Sequence, residues 1–438
     1  MFSEEDFLRL DAGHFRAAFD QGTLTVAALI SRTIRQIEQR NQNGLALNAL
    51  ISLVPESVLR DRADILDLEL RSGHSRGLLH GIPVVLKDCI ATVPELGTTT
   101  SAGSFALLED KITKNAPLVD RSLGGSSTGS AISVSAGFSL IGIGTENDGS
   151  VVQPSSRQGL YSLKLSRDIT SAEGYWRVSK SLDTPRAMAR SARDVAAASE
   201  ILLNPDALSR LPEGSYASFC TQSFEGLKIG FNAAYHHARN EMHSRGAKVA
   251  YPVTLPLPSE LNIGNDYALF IVNLFESAAV TQEFFDNYID NESLIRNLRG
   301  LVDFNKAHPE KCLPQDQSWL VKAVGEKPLP EKHREAFDRM LRVGRDGLVR
   351  TLQENDIDAV ISPMDSPACS LGTASGYPMA NVPLGRYHLK EELSRPFGLA
   401  VFAHPKQEED IFRFISAYET SFLARPIPER LVHVVGSL

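Results

Sequence analysis

Hydrophobic positions recur at helical spacing early in the chain. Val26, Leu29, Ile30, Ile34 and Ile37 share one face, with Arg32, Arg35, Gln36 and Arg40 on the other, which predicts an amphipathic helix. Ahead of it, Ser3 and Asp6 form a capping-box pattern that opens a first helix carrying Phe7, Leu8, Leu10 and Phe15. The apolar run 45–54 reads as a strand. Pro55 then opens a helical pattern over Glu56 to Leu70 that Gly73 closes.

From Gly81 to Leu165 the texture changes to short apolar runs broken by Gly and Ser. Ile82 to Leu86 and Leu140 to Gly144 read as buried strands, and Ser130 to Ala136 as a helix of small residues. Ser191 with Asp194 caps a further helix, LKIGF reads as a strand, and Ala233 to Arg245 as a helix ended by Gly246. The stretch 263–355 is mostly helical in pattern, DAVISP is a buried strand, and Asp410 to Phe422 closes the chain as an amphipathic helix. Such alternation predicts an α/β fold. With no repeat or linker to divide it, the chain reads as one domain over 1–438. Its parts are an N-terminal helical part (1–75), a core carrying the chemistry (76–205) and a C-terminal part with a mostly helical insert (206–438).

Composition narrows the function classes. Lys plus Arg number 45 against 53 Asp plus Glu, a net charge of −8, which argues against a partner held by phosphate neutralisation, so no nucleic acid is expected. At 42% hydrophobic and 22% charged residues the chain can bury a large core. Cys89, Cys220, Cys312 and Cys369 form no CxxC pair, so neither a disulfide framework nor a zinc ribbon is expected. His236, His237 and His243 lack an HExxH pattern, and no metal or cofactor is expected. The acidic start MFSEEDFLRLDAG lacks the form of a signal peptide, and no uninterrupted apolar run reaches membrane-span length. A cytoplasmic protein is expected.

Candidate chemistry gathers at three places. Lys87 ends the run GIPVVLKD, Ser126 and Ser127 follow Gly124-Gly125, and Ser150 follows Asp148-Gly149. Taken singly, a lysine at a strand end snorkels to the surface and Gly-Ser runs form loops. Together they supply a nucleophile, a proton acceptor and a backbone oxyanion site. Cys89, two residues beyond Lys87, is a conceivable thiol nucleophile but reads as a core residue.

These segments resemble the amidase signature family, hydrolases that use a Ser-Ser-Lys triad on linear amides and esters. GIPVVLKD is similar to the family's lysine strand, GGSSTGSA to its first serine loop, and GTENDGSVVQPSS to its nucleophile loop. The interval 150 − 126 = 24 matches the family's spacing between the two serines. LTVAALISRTIRQIEQRN with LNALI, SLDTPRAMARSARDVAAASEILL, DAVISPMDSPA and SGYPMANVPLG extend the resemblance over nearly the whole chain. It implies a mixed β-sheet flanked by helices on both faces and hydrolysis of a small-molecule carboxamide or ester through a seryl acyl-enzyme. Carried over by position, Ser150 is the nucleophile, Ser126 the bridging serine on a cis peptide, and Lys87 the base. The backbone N–H groups of Asn147, Asp148, Gly149 and Ser150 would face the oxyanion, with the Asp148 carboxylate pointing away. The base must be uncharged, which burial against Val84 and Val85 would favour, and strand alternation would turn Asp88 to the other side.

The chain also departs from the family. Only 126 − 87 = 39 residues separate Lys87 from Ser126, about half the family's interval, and a strand-helix region ending in Gly-Lys-Thr-Asn is missing. A loop is shortened after Phe231, and Arg186-Ala187 stands where the family has Gly-Pro. The expectation is a sheet lacking a core strand and an impaired hydrolase. The other readings are a noncatalytic binding relative, a misspliced product and, within the family, a glutamine amidotransferase subunit.

Overall fold

The computed structural model describes residues 2–108, 111–119, 127–211, 215–309, 317–387 and 394–435. The capping box is formed: Ser3 N donates to Asp6 Oδ2 at 2.6 Å and Asp6 N to Ser3 Oγ at 3.1 Å. It opens α1 (Asp6–Arg9), followed by α2 (Ala12–Asp20), α3 (Val26–Ile37) and α4 (Glu56–Arg71). Phe7, Leu8, Phe15, Val26, Leu29 and Ile34 are buried as their spacing predicts.

The expected strand over 45–54 does not form. There the Asn41 side chain takes the backbone instead, its Oδ1 accepting from Ala49 N and Leu50 N and its Nδ2 donating to Leu50 O. A side chain has supplied the partners that a neighbouring strand would have offered.

Nine strands form one mixed sheet. In chain order the strands are β1 (Val84–Leu86), β2 (Ile141–Glu146), β3 (Tyr161–Lys164), β4 (Thr184–Ala189), β5 (Lys228–Phe231) and β6 (Lys248–Ala250). A small hairpin follows, β7 (Asn262–Ile263) with β8 (Asp266–Tyr267), then β9 (Ala359–Pro363), β10 (Met379–Arg386) and β11 (Pro396–Ala403). The spatial order is β1-β2-β4-β3-β10-β11-β9-β5-β6. β1 runs parallel to β2, and β5 runs parallel to both β6 and β9; the remaining pairings are antiparallel. Sequence reading found β1, β2, β5 and β9 but not β3, β4, β6, β10 and β11. Among the described residues β1 closes one end of the sheet, and those of 88–119 add only isolated bridges, Ile90 to Tyr175 and Ile112 to Ile289.

Helices cover both faces. α5 (Ser127–Ala136) lies against β2, α6 (Val152–Arg157) against β3, β10 and β11, and α7 (Ala192–Ile201) against β4. After α8 (Pro205–Ser209) and α9 (His236–Ser244), the helices α10 (Ala268–Tyr288), α11 (Leu298–Ala307), α12 (Ser318–Gly325), α13 (Pro330–Met340) and α14 (Gly347–Glu354) make up most of the helical stretch expected over 263–355. α15 (Cys369–Ser375), α16 (Glu408–Ser421) and α17 (Glu429–Val435) complete the chain, α16 packing on β10, β11 and α7. By length and composition α10 could cross a membrane, but Leu269, Ile271, Val272, Phe284 and Phe285 are buried inside the fold.

β2 shows how sequence period selects the two layers. Ile141 and Ile143 join the core on one face; Gly142 and Gly144 alternate with them on the other, where α5 packs. A Cβ on Gly144 would lie 2.5 Å from Ser127 Oγ and 2.7 Å from Val151 Cγ2. The absence of a side chain therefore lets the helix start and the Ser150 turn approach the same strand.

Candidate active site

β2 ends at Glu146, and residues 147–150 turn sharply before α6. Gly149 holds the turn at φ +82°, a left-handed conformation that glycine adopts freely, and a Cβ there would also meet Gln153 Nε2 at 2.8 Å. Ser150 is exposed, whereas Val151 and Val152 beside it are buried. Among the described residues, no turn or loop backbone hydrogen bond is donated by the N–H groups of 147–150.

Three side chains hold this turn. Glu146 Oε2 accepts from Val151 N at 2.6 Å and Val152 N at 2.8 Å, and Glu146 Oε1 pairs with Arg186 Nη1 from β4, both side chains being wholly buried. The Asp148 carboxylate points to α15, accepting from Ser370 Oγ at 2.9 Å and Thr373 Oγ1 at 3.1 Å. Burial pushes that carboxyl up, against the pull of the two hydroxyls. Asn147 and Asn273 of α10 exchange amide hydrogen bonds at 2.9 Å each way, and Asn147 Nδ2 also donates to Asp183 Oδ2 at 3.1 Å. Asp183 accepts further from Ser179 N at 2.6 Å and Val178 N at 3.0 Å; burial raises its carboxyl, these donors opposing it.

Lys87 arrives from the neighbouring parallel strand. Its backbone N donates to Ile143 O at 3.0 Å, and its Nζ reaches Thr145 O at 3.3 Å. Ser127 Oγ, at the start of α5, donates to that same carbonyl at 3.4 Å. The lysine, the serine helix and the root of the Ser150 turn thus meet at one peptide oxygen. Ser126, with its expected cis bond, lies outside the described residues.

Asp88 lies in the turn that follows β1, beyond the reach of the expected strand alternation. Its carboxylate gathers the loop beyond, accepting from Thr99 Oγ1 at 2.8 Å, Ser101 Oγ at 2.6 Å and Ser101 N at 3.2 Å. Cys89 is buried against Thr145 Oγ1 at 3.3 Å, and burial pushes its thiol up, the opposite of an activated nucleophile. Lys87 itself is half-buried and lines a small cleft together with Ile51, Ser52, Thr98 and Thr99.

Sequence reading missed Glu146, Arg186, Asp183 and Asn273. Glu146 carried one local signal, a carboxylate ending an apolar strand just before a turn; the others are recruited from 36 to 126 residues beyond the turn residues they touch. The three histidines of α9 and its neighbourhood stand apart from this site, and no cluster of His, Cys, Asp and Glu among the described residues could hold a metal.

Known proteins share this arrangement of chain. The Amidase family model matches residues 28–121 and 111–391. A probable amidase of Arabidopsis thaliana is 27% identical, covering 94% of this chain and 90% of its own length. The structure of a peptide amidase bound to the competitive inhibitor chymostatin superposes with a TM-score of 0.84 at 27% identity, covering 96% of this chain and 99% of the other. An amidase family protein from Bacillus anthracis shares the fold, with a TM-score of 0.85 at 22% identity over 97% and 93% of the two chains. A subunit of the glutamyl-tRNA(Gln) amidotransferase from Alkaliphilus metalliredigens is 27% identical over 49% of this chain and 51% of its own. With most of its length matched by that family model, the chain belongs to the amidase family, hydrolases acting on carbon–nitrogen bonds.

Proposed function

We propose that the protein hydrolyses a carboxamide through a seryl acyl-enzyme. Ser150 attacks the carbonyl, Ser126 passes its proton to Lys87, and the N–H groups of residues 147–150 receive the oxyanion. The amide C–N bond breaks as the returning proton leaves with the amine, and water then releases the acyl group by the same route. The observation that carries this reading is an exposed Ser150 on a left-handed glycine turn whose root, Thr145 O, is also the acceptor of Lys87 Nζ. Likeness to a peptide amidase along nearly the whole chain favours a peptide-like amide as substrate, and favours a stand-alone amidase over the amidotransferase, whose match covers half the chain.

A serine-directed fluorophosphonate is expected to label Ser150, and labelling should vanish in Ser150→Ala. Persistence of the label at another serine in that variant overturns the assignment. Turnover is expected to be low, because Lys87 follows a three-residue strand at the end of the described sheet and lines a cleft. Hydrolysis of a simple amide at an ordinary rate, about 1 to 10³ per second, would show that the shortened region is dispensable.

A further inference from the structure

We propose that Arg186 and Glu146 are positioning residues: a buried ion pair that fixes the Ser150 turn by holding Glu146 as the acceptor for Val151 N and Val152 N. The inference rests on the acyl-enzyme reading for its catalytic consequence, though not for its structural part.

The register of the sheet brings the pair together. β4 runs antiparallel to β2, with Arg186 opposite Gly144 and Thr184 opposite Glu146. Arg186 and Glu146 are diagonal neighbours across the strands, on the face where Gly144 contributes no side chain. Arg186 Nε is steadied by Thr184 Oγ1 at 3.3 Å, and Nη1 reaches Glu146. Both side chains are completely buried, so water cannot replace either partner.

Glu146 divides its two oxygens between two tasks. Oε1 faces the guanidinium, and Oε2 accepts the two backbone N–H groups that immediately follow Ser150. Those donors lie at the entrance to α6, where no earlier helical turn offers a carbonyl. The carboxylate therefore sets the direction in which the chain leaves Ser150. Arg186 acts through it: without the cation, a buried carboxylate would have to move, take up water or bind a proton, and each alternative disturbs Oε2. Neither group touches the reacting atoms, which distinguishes this role from that of Lys87.

The test compares Arg186→Met, Arg186→Lys and Glu146→Gln with the native chain by two readouts. Amide hydrogen exchange reports the turn directly, and the rate of fluorophosphonate labelling reports the reactivity of Ser150. In Arg186→Met, the Val151 and Val152 amides should exchange about ten-fold faster or more, while Ile143 and Ala187 in the β2–β4 ladder keep their protection. Labelling should slow by about 10- to 100-fold, as for a nucleophile displaced by about 1 Å. Arg186→Lys, which keeps the charge, should recover part of both. Native exchange at Val151 and Val152 in Arg186→Met overturns the proposal, as does equal loss in the Lys and Met variants. If Arg186→Met does not fold, Glu146→Gln decides by the same two readouts. If the native protein fails to label, the acyl-enzyme reading falls, while the exchange comparison still decides the positioning role.

Discussion

β2 delivers Ser150 from inside the sheet, paired on one side with β1 and on the other with β4, and its turn is gripped by Asp183 and Arg186, by the Asn273 amide of α10 and by hydroxyls of α15. β1 delivers Lys87 from the last strand of the sheet, with a cleft rather than a neighbouring strand alongside among the described residues. The Ser150 half is specified many times over; the Lys87 half rests on one pairing and on the loop tied to Asp88. The difference teaches that tolerance to change should be unequal. Apart from the buried Glu146–Arg186 pair, the supports of Ser150 share the work among several bonds, so single losses there are local, whereas Lys87 has few supports and each one matters to its position.

The largest expected effect removes the base. Lys87→Ala should lower turnover by about 10²- to 10⁴-fold, and by more than Ser126→Ala, since water can partly replace a bridging hydroxyl but not a proton acceptor. Steady-state kinetics on a chromogenic amide would measure both. Small and equal losses would sink the relay.

Gly144→Ala should come next. Its new methyl must displace Ser127 Oγ and Val151 Cγ2 together, pushing apart the start of α5 and the Ser150 turn. A loss of about 100-fold in kcat with KM little changed is expected, along with about 1–3 kcal/mol of stability. A native-like kcat in a well-folded variant would show that this close approach does not set the geometry.

Asp88→Ala tests the weaker half alone. It strands the donors of Thr99 and Ser101, which should cost about 1–3 kcal/mol and lower kcat by about 10-fold through movement of β1. Exchange at Val85 and Leu86 amides should quicken while Val151 keeps its protection. If both regions loosen alike, the two halves are not independently supported.

The smallest effect lies away from the site, where α2, α7 and α16 meet. Asp194 accepts from Ala12 N at 2.6 Å; burial, with Asp11 nearby, raises its carboxyl to about 8, and burial raises Glu419 to about 7. A carboxyl raised in the folded state binds its proton more tightly there than when unfolded. The stability it contributes is full below its unfolded value near 3.8 and is lost as pH rises through about 8. Asp194→Asn should therefore raise the melting temperature at pH 8–9 by about 2–4 °C and flatten its fall from pH 5 to 9, with no change at the active site. Scanning calorimetry across that range would check it. An unaltered pH slope would remove Asp194 from the account.

What was legible in the sequence follows the same division. The alternation of Ile141, Gly142, Ile143 and Gly144, the Asp148-Gly149-Ser150 turn and the strand ending in Lys87 are local patterns, and each element lies within a few residues of its predicted bounds. β4 was hidden because Pro185 and Arg186 break the look of a buried strand; the arginine is neutralised only by a residue 40 positions earlier. β10 and β11 pair across a segment rich in charge, so their apolar faces emerge only when the register is known. The run 45–54 misled for the opposite reason. Its apolar pattern was real, but Asn41 satisfied its backbone first.

The single carbonyl of Thr145 has a consequence for the jitter of the site. Lys87 Nζ and Ser127 Oγ both refer to that oxygen, and it belongs to the peptide plane that leads into the Ser150 turn. Thermal displacement of β2 carries the amine, the serine helix and the turn in the same direction, as a common-mode motion. What chemistry senses is the difference between their positions, and that difference fluctuates less than any of the three parts alone.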